Sequence, residues 1–418
     1  MERLGEHRLR RSTAGVATLV LWGLSGCSFL SWDGYAATSD DGGGSGSGGS
    51  GSGSGSGSIG GSGSSSGAVT SDAGGDGTVA NDGGSPLTCD GGLTACGEQC
   101  ADLASDPKNC GACGHDCLGG LCTASACQPV TLAPGQNSPY AIALDGTNVY
   151  WTNLVGDTGT VMSCAKAGCN MSPATIASGL DWPSGIATDG TNVYFTASDA
   201  VILCPIAGCP AMNPQAVAWG QNNPAGIVLQ GSTLFWTNAV KTTGVVLSCG
   251  ATNCQNNTNL ISNNEDQPTN ITADAVSVYW VDSHGGDVRS CGVGGCMSAT
   301  EVAWNQAGPQ WIAVSGANLF WTNLYDGTVM RCATQNCNGQ EAKLAVGQNG
   351  PQGIAVDGTN AYWANNQGGT LVKCAVGGCP EPTTVASGQN MPMAVAQDAT
   401  AIYWTNNASN GAVMKLAK

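Results

Sequence analysis

The chain has 418 residues, a formal net charge of −16, 10% charged side chains and 64 glycines. An acidic, sparsely charged chain has no basic footprint for nucleic acid. Three histidines leave little material for acid–base chemistry, and 41% hydrophobic content is enough to build a folded body.

Residues 1–26 have the layout of a targeting segment. Arg3, Arg8, Arg10 and Arg11 precede an apolar run from Ala14 to Leu24, roughly half of what spans a bilayer as a helix. The run ends in Leu24-Ser25-Gly26-Cys27, which resembles the lipobox of bacterial lipoproteins. That resemblance implies cleavage before Cys27 and acylation of Cys27. With Ser28 in place of Asp, it also implies an outer-membrane lipid anchor, so the membrane is one expected partner. The alternative is a plain secretory signal with an incidental cysteine. Residues 27–88 then form a Gly/Ser-dominated linker. Too little apolar surface is available there to offset ordering entropy, so a disordered tether with a reach of about 35–40 Å is expected.

The 21 cysteines divide along the chain. With Cys27 set aside, eight lie between Cys89 and Cys127 and twelve form six Cys-x4-Cys pairs. Two even sets imply disulfides in an oxidising compartment. The pairs Cys164/Cys169, Cys204/Cys209, Cys249/Cys254, Cys291/Cys296, Cys332/Cys337 and Cys374/Cys379 flank short turn-prone stretches and are expected to be bonded. Zinc is the alternative, but each pair offers two thiols and no histidine, so neither metal nor cofactor is expected. Residues 89–127 are too few for an adequate core and need staples, whose connectivity stays open. The stretch "CADLASDPKNCGACGHDC" resembles the cysteine-rich module of stigma-specific secreted plant proteins, also found in bacterial surface lipoproteins. His115 lies inside it; a structural role is expected there rather than a metal ligand.

From residue 128 onward one pattern repeats. "NVYWTN", "NVYFTA", "TLFWTN", "SVYWVD", "NLFWTN", "NAYWAN" and "AIYWTN" place aromatic anchors at Trp151, Phe195, Trp236, Trp280, Trp321, Trp363 and Trp404. Their separations are 44, 41, 44, 41, 42 and 41 residues, a repeat architecture. Each unit supplies a Pro-led strand, a tight turn, the aromatic strand, a third strand ending at the first cysteine, and a fourth strand after the Cys loop. Four strands in seven units predict an all-β fold, a seven-bladed β-propeller over residues 128–418. The last unit stops after its third strand, while residues 128–136 match a fourth strand, so the N-terminal strand is expected to close the ring. The anchors resemble the YWTD repeats of low-density-lipoprotein-receptor-type propellers. The family's propellers carry one blade fewer, and its terminal Asp survives here only at Asp282, with Asn at 153, 238, 323, 365 and 406.

In a propeller the fourth-to-first and second-to-third loops share one face. The fourth-to-first loops repeat a Gln-Asn pair at 136–137, 221–222, 348–349 and 389–390. The expected ligand-binding residues are therefore Asn137, Asp181, Trp182, Asn222, Glu265, Asp266, Trp311, Asn349 and Asn390. Amides, carboxylates and aromatic plates suit a glycan or peptide; the alternative is that Gln, Asn and Gly are simply good loop formers. An acidic cluster of Asp282, His284 and Asp287 beside Glu265 and Asp266 is the enzymatic alternative. It would resemble lactonase-like or lyase-like propellers, whose carboxylate-plus-metal or histidine constellation it does not reproduce. The sequence thus points to a non-catalytic, outer-membrane-anchored, monomeric binder of an unknown protein or glycan. A purely structural or adhesive envelope module is a third reading.

Overall fold

Burying a tyrosine next to a tryptophan requires that both faces of their strand be covered, because successive side chains point to opposite sides. The computed structural model meets this requirement by stacking sheets face to face. It describes residues 87–209, 214–335, 337 and 339–418; the targeting segment, Cys27 and nearly all of the Gly/Ser linker lie outside them.

Seven four-stranded antiparallel sheets are present. Blade 1 runs Pro139–Leu144, Asn148–Asn153, Gly159–Ala165 and Ala174–Leu180, from the innermost strand to the outer one. Blades 2 to 6 repeat this meander, with innermost strands opening at Ile186, Pro224, Pro268, Pro309 and Pro351. In six blades the proline opens the strand, where no ladder donor is lost; in blade 2 the strand starts after Pro183. Blade 7 combines Pro392–Gln397, Ala401–Asn406 and Gly411–Ala417 with Val130–Gln136 from the other end of the propeller. Its pairing, with Gly411 opposite Gln136, Val413 opposite Ala133 and Lys415 opposite Val130, closes the ring as the sequence predicts.

The core lies between blades. Trp151, Trp236, Trp280, Trp321, Trp363 and Trp404 are all fully buried, as is Phe195. Trp151 packs against Leu132, Tyr403 and Val413 of blade 7. Each such ring contributes on the order of 4–6 kcal/mol of transfer free energy before ordering entropy is subtracted. Innermost strands approach closely enough that a Cβ on Gly353 would lie 2.3 Å from the Met393 carbonyl oxygen, so glycine is required at that position.

The first hairpin of five blades is tied by its own side chains. In blade 1, Asp145 accepts the N–H groups of Thr147 and Asn148, both at 2.7 Å, and the Tyr150 hydroxyl at 2.6 Å. Equivalent Tyr-to-Asp bonds join Tyr194 to Asp189, Tyr279 to Asp274, Tyr362 to Asp357 and Tyr403 to Asp398. Where Phe235 and Phe320 replace tyrosine, Gln230 and Ser315 replace the aspartate. Burial, and then the neighbouring aspartate, push the Tyr194 and Tyr362 hydroxyls up to about 12. At the closure, Lys166 of blade 1 pairs with Asp398 of blade 7 at 2.9 Å, and Lys418 pairs with Asp357 of blade 6 at 2.7 Å. Burial alone would raise Asp357, but Lys418 and two turn N–H groups outweigh it and lower the carboxyl to about 2.

All six Cys-x4-Cys pairs are disulfides: Cys164–Cys169, Cys204–Cys209, Cys249–Cys254, Cys291–Cys296, Cys332–Cys337 and Cys374–Cys379. Their loops lean on the outer strand of the preceding blade; the Cys209 N–H, for example, donates to Ile176 O at 3.0 Å. The second cysteine of a pair thereby becomes part of a seam. Cys169 packs into the cluster between blades 7 and 1, Cys209 into that between blades 1 and 2, Cys254 into that between blades 2 and 3, Cys337 into that between blades 4 and 5, and Cys379 into that between blades 5 and 6. Cys254 and Cys337 are buried there, and Cys169, Cys209 and Cys379 are half-buried. These five are structural staples that fill interblade space, and they stand apart from the loop face where ligand-binding residues are expected. Cys296 differs, being exposed at the outer edge of blade 4.

The cysteine-rich module is bonded 89–100, 96–113, 110–122 and 117–127. Leu118 packs into the cluster between blades 7 and 1. His115 is structural: its ring nitrogens meet Cys110 O at 2.6 Å and Lys418 O at 2.7 Å.

Deleting residues 128–136 should leave Gly411–Ala417 as an unpaired edge and cause aggregation or a large fall in Tm. Equal thermal stability and solubility of the deletion and the intact protein would show that closure does not depend on this strand. The intact oxidised mass should also lie about 20 Da below that of the fully reduced chain, as ten disulfides require.

Candidate functional site

A buried indole N–H needs an acceptor, and the repeated glutamines supply it. Gln136 Oε1 accepts Trp151 Nε1 at 3.0 Å and Asn153 Nδ2 at 3.2 Å. Its own amide donates to Pro134 O at 3.1 Å. The same latch recurs as Gln221 with Trp236 and Asn238, Gln306 with Trp321 and Asn323, Gln348 with Trp363 and Asn365, and Gln389 with Trp404 and Asn406. The glutamine ends one blade's outer strand, as Gln136 does, or follows it by two or three residues, and the Trp and Asn belong to the next blade. The latch is therefore an interblade fastening, and these glutamines are not part of a ligand-binding ring.

Two seams depart from it. Between blades 1 and 2 the three positions are Leu180, Phe195 and Ala197; with no indole N–H, no acceptor is needed. Between blades 3 and 4 they are Glu265, Trp280 and Asp282. Glu265 and Asp282 are each 1% exposed, so neither belongs to a ligand-facing ring, contrary to the expectation for Glu265. Glu265 Oε2 accepts Trp280 Nε1 at 3.1 Å and Oε1 accepts the Ser262 hydroxyl at 2.5 Å. Arg289 Nε lies 3.6 Å from Glu265 and 3.3 Å from Asp282, while its Nη2 reaches Asp287 at 3.4 Å. Burial, then the hydrogen bond to Glu265 and its charge, push the Asp282 carboxyl far above the usual range; Arg289 offsets only part of this. The raised Asp282 carboxyl favours the protonated form, which could take toward Glu265 the part that the asparagine amide takes toward glutamine elsewhere.

The expected cluster of Asp282, His284 and Asp287 is thus split. Asp282 and Asp287 sit on Arg289, whereas the exposed His284 bonds Asp266 through Nδ1 at 2.7 Å. Burial would raise Asp266, but His284 and the Thr242 N–H hold it below the usual carboxylate range. Among the described residues, the only close grouping of metal-ligand atoms is Cys110, Cys117 and Cys127, and all three are in disulfides.

One position beyond each latch, the chain reaches the loop face. Asn137, Asp181, Asn222, Asn349 and Asn390 are exposed there and Asp266 is half-buried; blade 5 is entered through Ala307. The next residue takes a positive φ in all seven loops, at Ser138, Trp182, Asn223, Gln267, Gly308, Gly350 and Met391. Trp182, at φ 48° and 43% exposed, is the bulkiest of these. Glycine carries no steric penalty in this region, whereas an L-side chain costs about 1–2 kcal/mol. Tyr325 is exposed in the blade 5 loop of the same face. Five aspartates, at 157, 181, 199, 266 and 326, outnumber Lys241 and His284 on these loops. Trp311, expected beside the loops, instead lies on the innermost strand. Its ring centroid is 6.1 Å from that of Tyr140 in blade 1, so the two rings meet across the central channel.

The geometry defines the class: a disulfide-clamped, seven-bladed β-propeller with one charged seam and one acidic, aromatic-bearing loop face. No family model and no curated protein matches the chain. Among solved structures it is similar to a catalytically inactive histidine-to-alanine form of virginiamycin B lyase from Staphylococcus aureus with quinupristin. That likeness has a TM-score of 0.57 and 13% identity, covering 70% of this chain and 98% of that one. A streptogramin B lyase gives a TM-score of 0.56 and 11% identity over 70% and 97% of the two chains. A nidogen/laminin complex gives 0.42 and 21% over 48% and 77%. At these identities the lyases show a shared fold and nothing about activity, and the last likeness carries no argument.

The sign of the Asp282 shift yields a test. Below about pH 4 its proton is bound in folded and unfolded chains alike, and the contribution to stability is fully present. As pH rises, the unfolded chain loses the proton while the folded one keeps it, so stability falls until the raised folded value is passed. Asp282→Asn, which installs the donor of the other seams, should raise stability by about 1–3 kcal/mol at pH 8 and by much less at pH 4. Thermal unfolding of both proteins across this range checks it; identical pH profiles would count against the shared proton.

Proposed function

We propose that this protein is a lipid-anchored cell-envelope lipoprotein whose propeller binds a glycan or peptide on its loop face without chemical turnover. The observation that carries this reading is Trp182, a bulky exposed ring held at positive φ at a position where two of the seven loops have glycine. Backbone strain retained in a sparsely populated region supports a functional role for the side chain. Around it, Asn137, Asp181, Asn222, Asp266, Asn349 and Asn390 offer one amide or carboxylate in six of the seven loops. The aspartate excess on this face favours a neutral or cationic ligand over an anionic one. Cys27 would supply the anchor, and the Gly/Ser linker would hold the body away from the membrane surface.

One observation favours a second reading. The His284–Asp266 pair is exposed on the same face, with the carboxylate orienting the imidazole, an arrangement that can serve a general base. The similar Staphylococcus aureus lyase is described as inactive in a histidine-to-alanine form, and His284 is the one histidine of this propeller. A lyase-like reaction would then use His284 to move a proton.

Substituting Trp182→Gly separates the two readings. It should relieve backbone strain, leaving stability unchanged or raised by up to about 1 kcal/mol, and weaken a ligand found on a glycan and peptide array by some thirtyfold. His284→Ala should leave that binding within about twofold. Turnover of an array ligand that stops on His284→Ala and persists in Trp182→Gly would establish the lyase reading instead.

A further inference from the structure

The seam between blades 3 and 4 departs from the repeat in four positions at once. Glu265 and Asp282 replace the Gln and Asn of the latch. Asp287 stands where blades 1, 5 and 6 have Thr160, Thr328 and Thr370. Arg289 stands where the other blades have Met162, Ile202, Leu247, Met330, Val372 and Met414. A buried charge cluster is rarely more stabilising than a well-packed apolar filling. Its confinement to one seam of seven therefore marks a site rather than a brace.

The same seam opens outward into a groove of about 540 Å³, within the range of roughly 300–1,000 Å³ typical of small-molecule sites. The outer strand of blade 3, Asn259–Glu265, forms one wall, and residues Cys296 to Ala299 of blade 4 form the other. Glu265 and Arg289 line it as well. Arg289 faces Glu265 and Asp282 through Nε at 3.6 and 3.3 Å, yet Nε makes no aligned hydrogen bond. Asp282 Oδ1 is buried without a partner too, but so is the asparagine Oδ1 at the same position of the five amide latches, so it is the Arg289 Nε that sets this seam apart.

We propose that this groove is a binding site for a neutral saccharide unit. An anionic ligand would be brought against the Glu265 carboxylate, and a cationic one against the Arg289 guanidinium. A hydroxyl is both donor and acceptor and satisfies either group without a net charge. Ser262, Asn263 and Asn264 line the wall with further hydroxyl and amide groups. Leu260, 54% exposed, and the exposed Met297 provide apolar contact for the C–H face of a sugar ring. This site lies at the outer seam, distinct from the loop face proposed above, and stands or falls separately from it.

The test uses the full oxidised protein and saturation-transfer NMR with glucose, galactose, mannose, N-acetylglucosamine and their β-linked disaccharides. At least one of these should bind. The triple variant Glu265→Gln, Asp282→Asn, Arg289→Met, which installs the filling of the other seams, should weaken binding at least about tenfold. Asn263→Trp, at an exposed position, should block the groove to a similar extent and serves if the triple variant does not fold. Trp182→Gly should leave the binding unchanged. Absence of binding by every sugar at tens of millimolar overturns the proposal, as does binding that survives Asn263→Trp. Binding that survives Asn263→Trp but is lost in Trp182→Gly would place the sugar on the loop face, overturning the seam site and leaving the proposed function intact.

Discussion

An indole N–H that is taken out of water must find an acceptor, and most of this propeller is organised around that requirement. Leaving it unpaired costs about 1–3 kcal/mol, whereas a completed hydrogen bond contributes about 1 kcal/mol net. Each tryptophan at a seam therefore has a partner fifteen residues earlier, at or just beyond the end of the outer strand of the previous blade. An asparagine two residues after the tryptophan shares the same oxygen. Because the acceptor sits on one blade and the donors on the next, the latch fastens neighbours rather than stabilising a blade alone. Phe195 confirms the logic from the other side: without an N–H, the acceptor position becomes Leu180 and the asparagine position becomes Ala197.

With the scaffold held by repeated local rules, departures from those rules become informative. Seam 3/4 keeps the hydrogen-bond pattern but carries it with carboxyl groups and an arginine, at an electrostatic cost that the amide version avoids. Trp182 keeps the loop backbone of its repeat but puts an indole where glycine is the unstrained choice. Neither change improves packing between blades. Both lie where solvent can reach, one at the outer groove and one on the loop face. The disulfides and the Tyr–Asp turns, by contrast, recur around the ring, in six and five of the seven blades, and tie the hairpins that carry them.

The closure shows how chain ends are handled in a fold without free edges. The strand Val130–Gln136 supplies both the outer strand of blade 7 and the latch residue for Trp151 of blade 1. Lys166 and Lys418 occupy the same repeat position and reach back to aspartates of the preceding blades. The partly buried Lys166–Asp398 pair joins blades 1 and 7, where the ring closes, and Lys418–Asp357 adds a tie between blades 7 and 6. The docked module, through Leu118 and His115, covers the same joint.

Several features are written in the amino-acid sequence because they follow from local chemistry repeated along the chain. The spacing of Trp151 to Trp404, the Cys-x4-Cys pairs and the match of residues 128–136 to a fourth strand dictate seven blades, six loop disulfides and the mode of closure. The covariation of Gln with Trp and Asn, and of Tyr with Asp, is present there too, at fixed offsets. The destination of each side chain is not. Gln136 and Asn137 are adjacent and chemically alike, yet the first is buried in a seam and the second exposed. Trp182 and Trp311 are both aromatic near a loop, yet one lies on the face and the other meets Tyr140 across the channel. Cys254 and Cys296 hold the same place in their repeats, yet the first is buried in a seam and the second exposed beside the groove. Asp282, His284 and Asp287 are close in sequence, yet strand alternation and a turn send them to different partners. Periodicity specifies which positions repeat; only the stacking of one blade on the next, which sets burial and brings residues tens of positions apart within hydrogen-bonding distance, decides which of them remain available to a ligand.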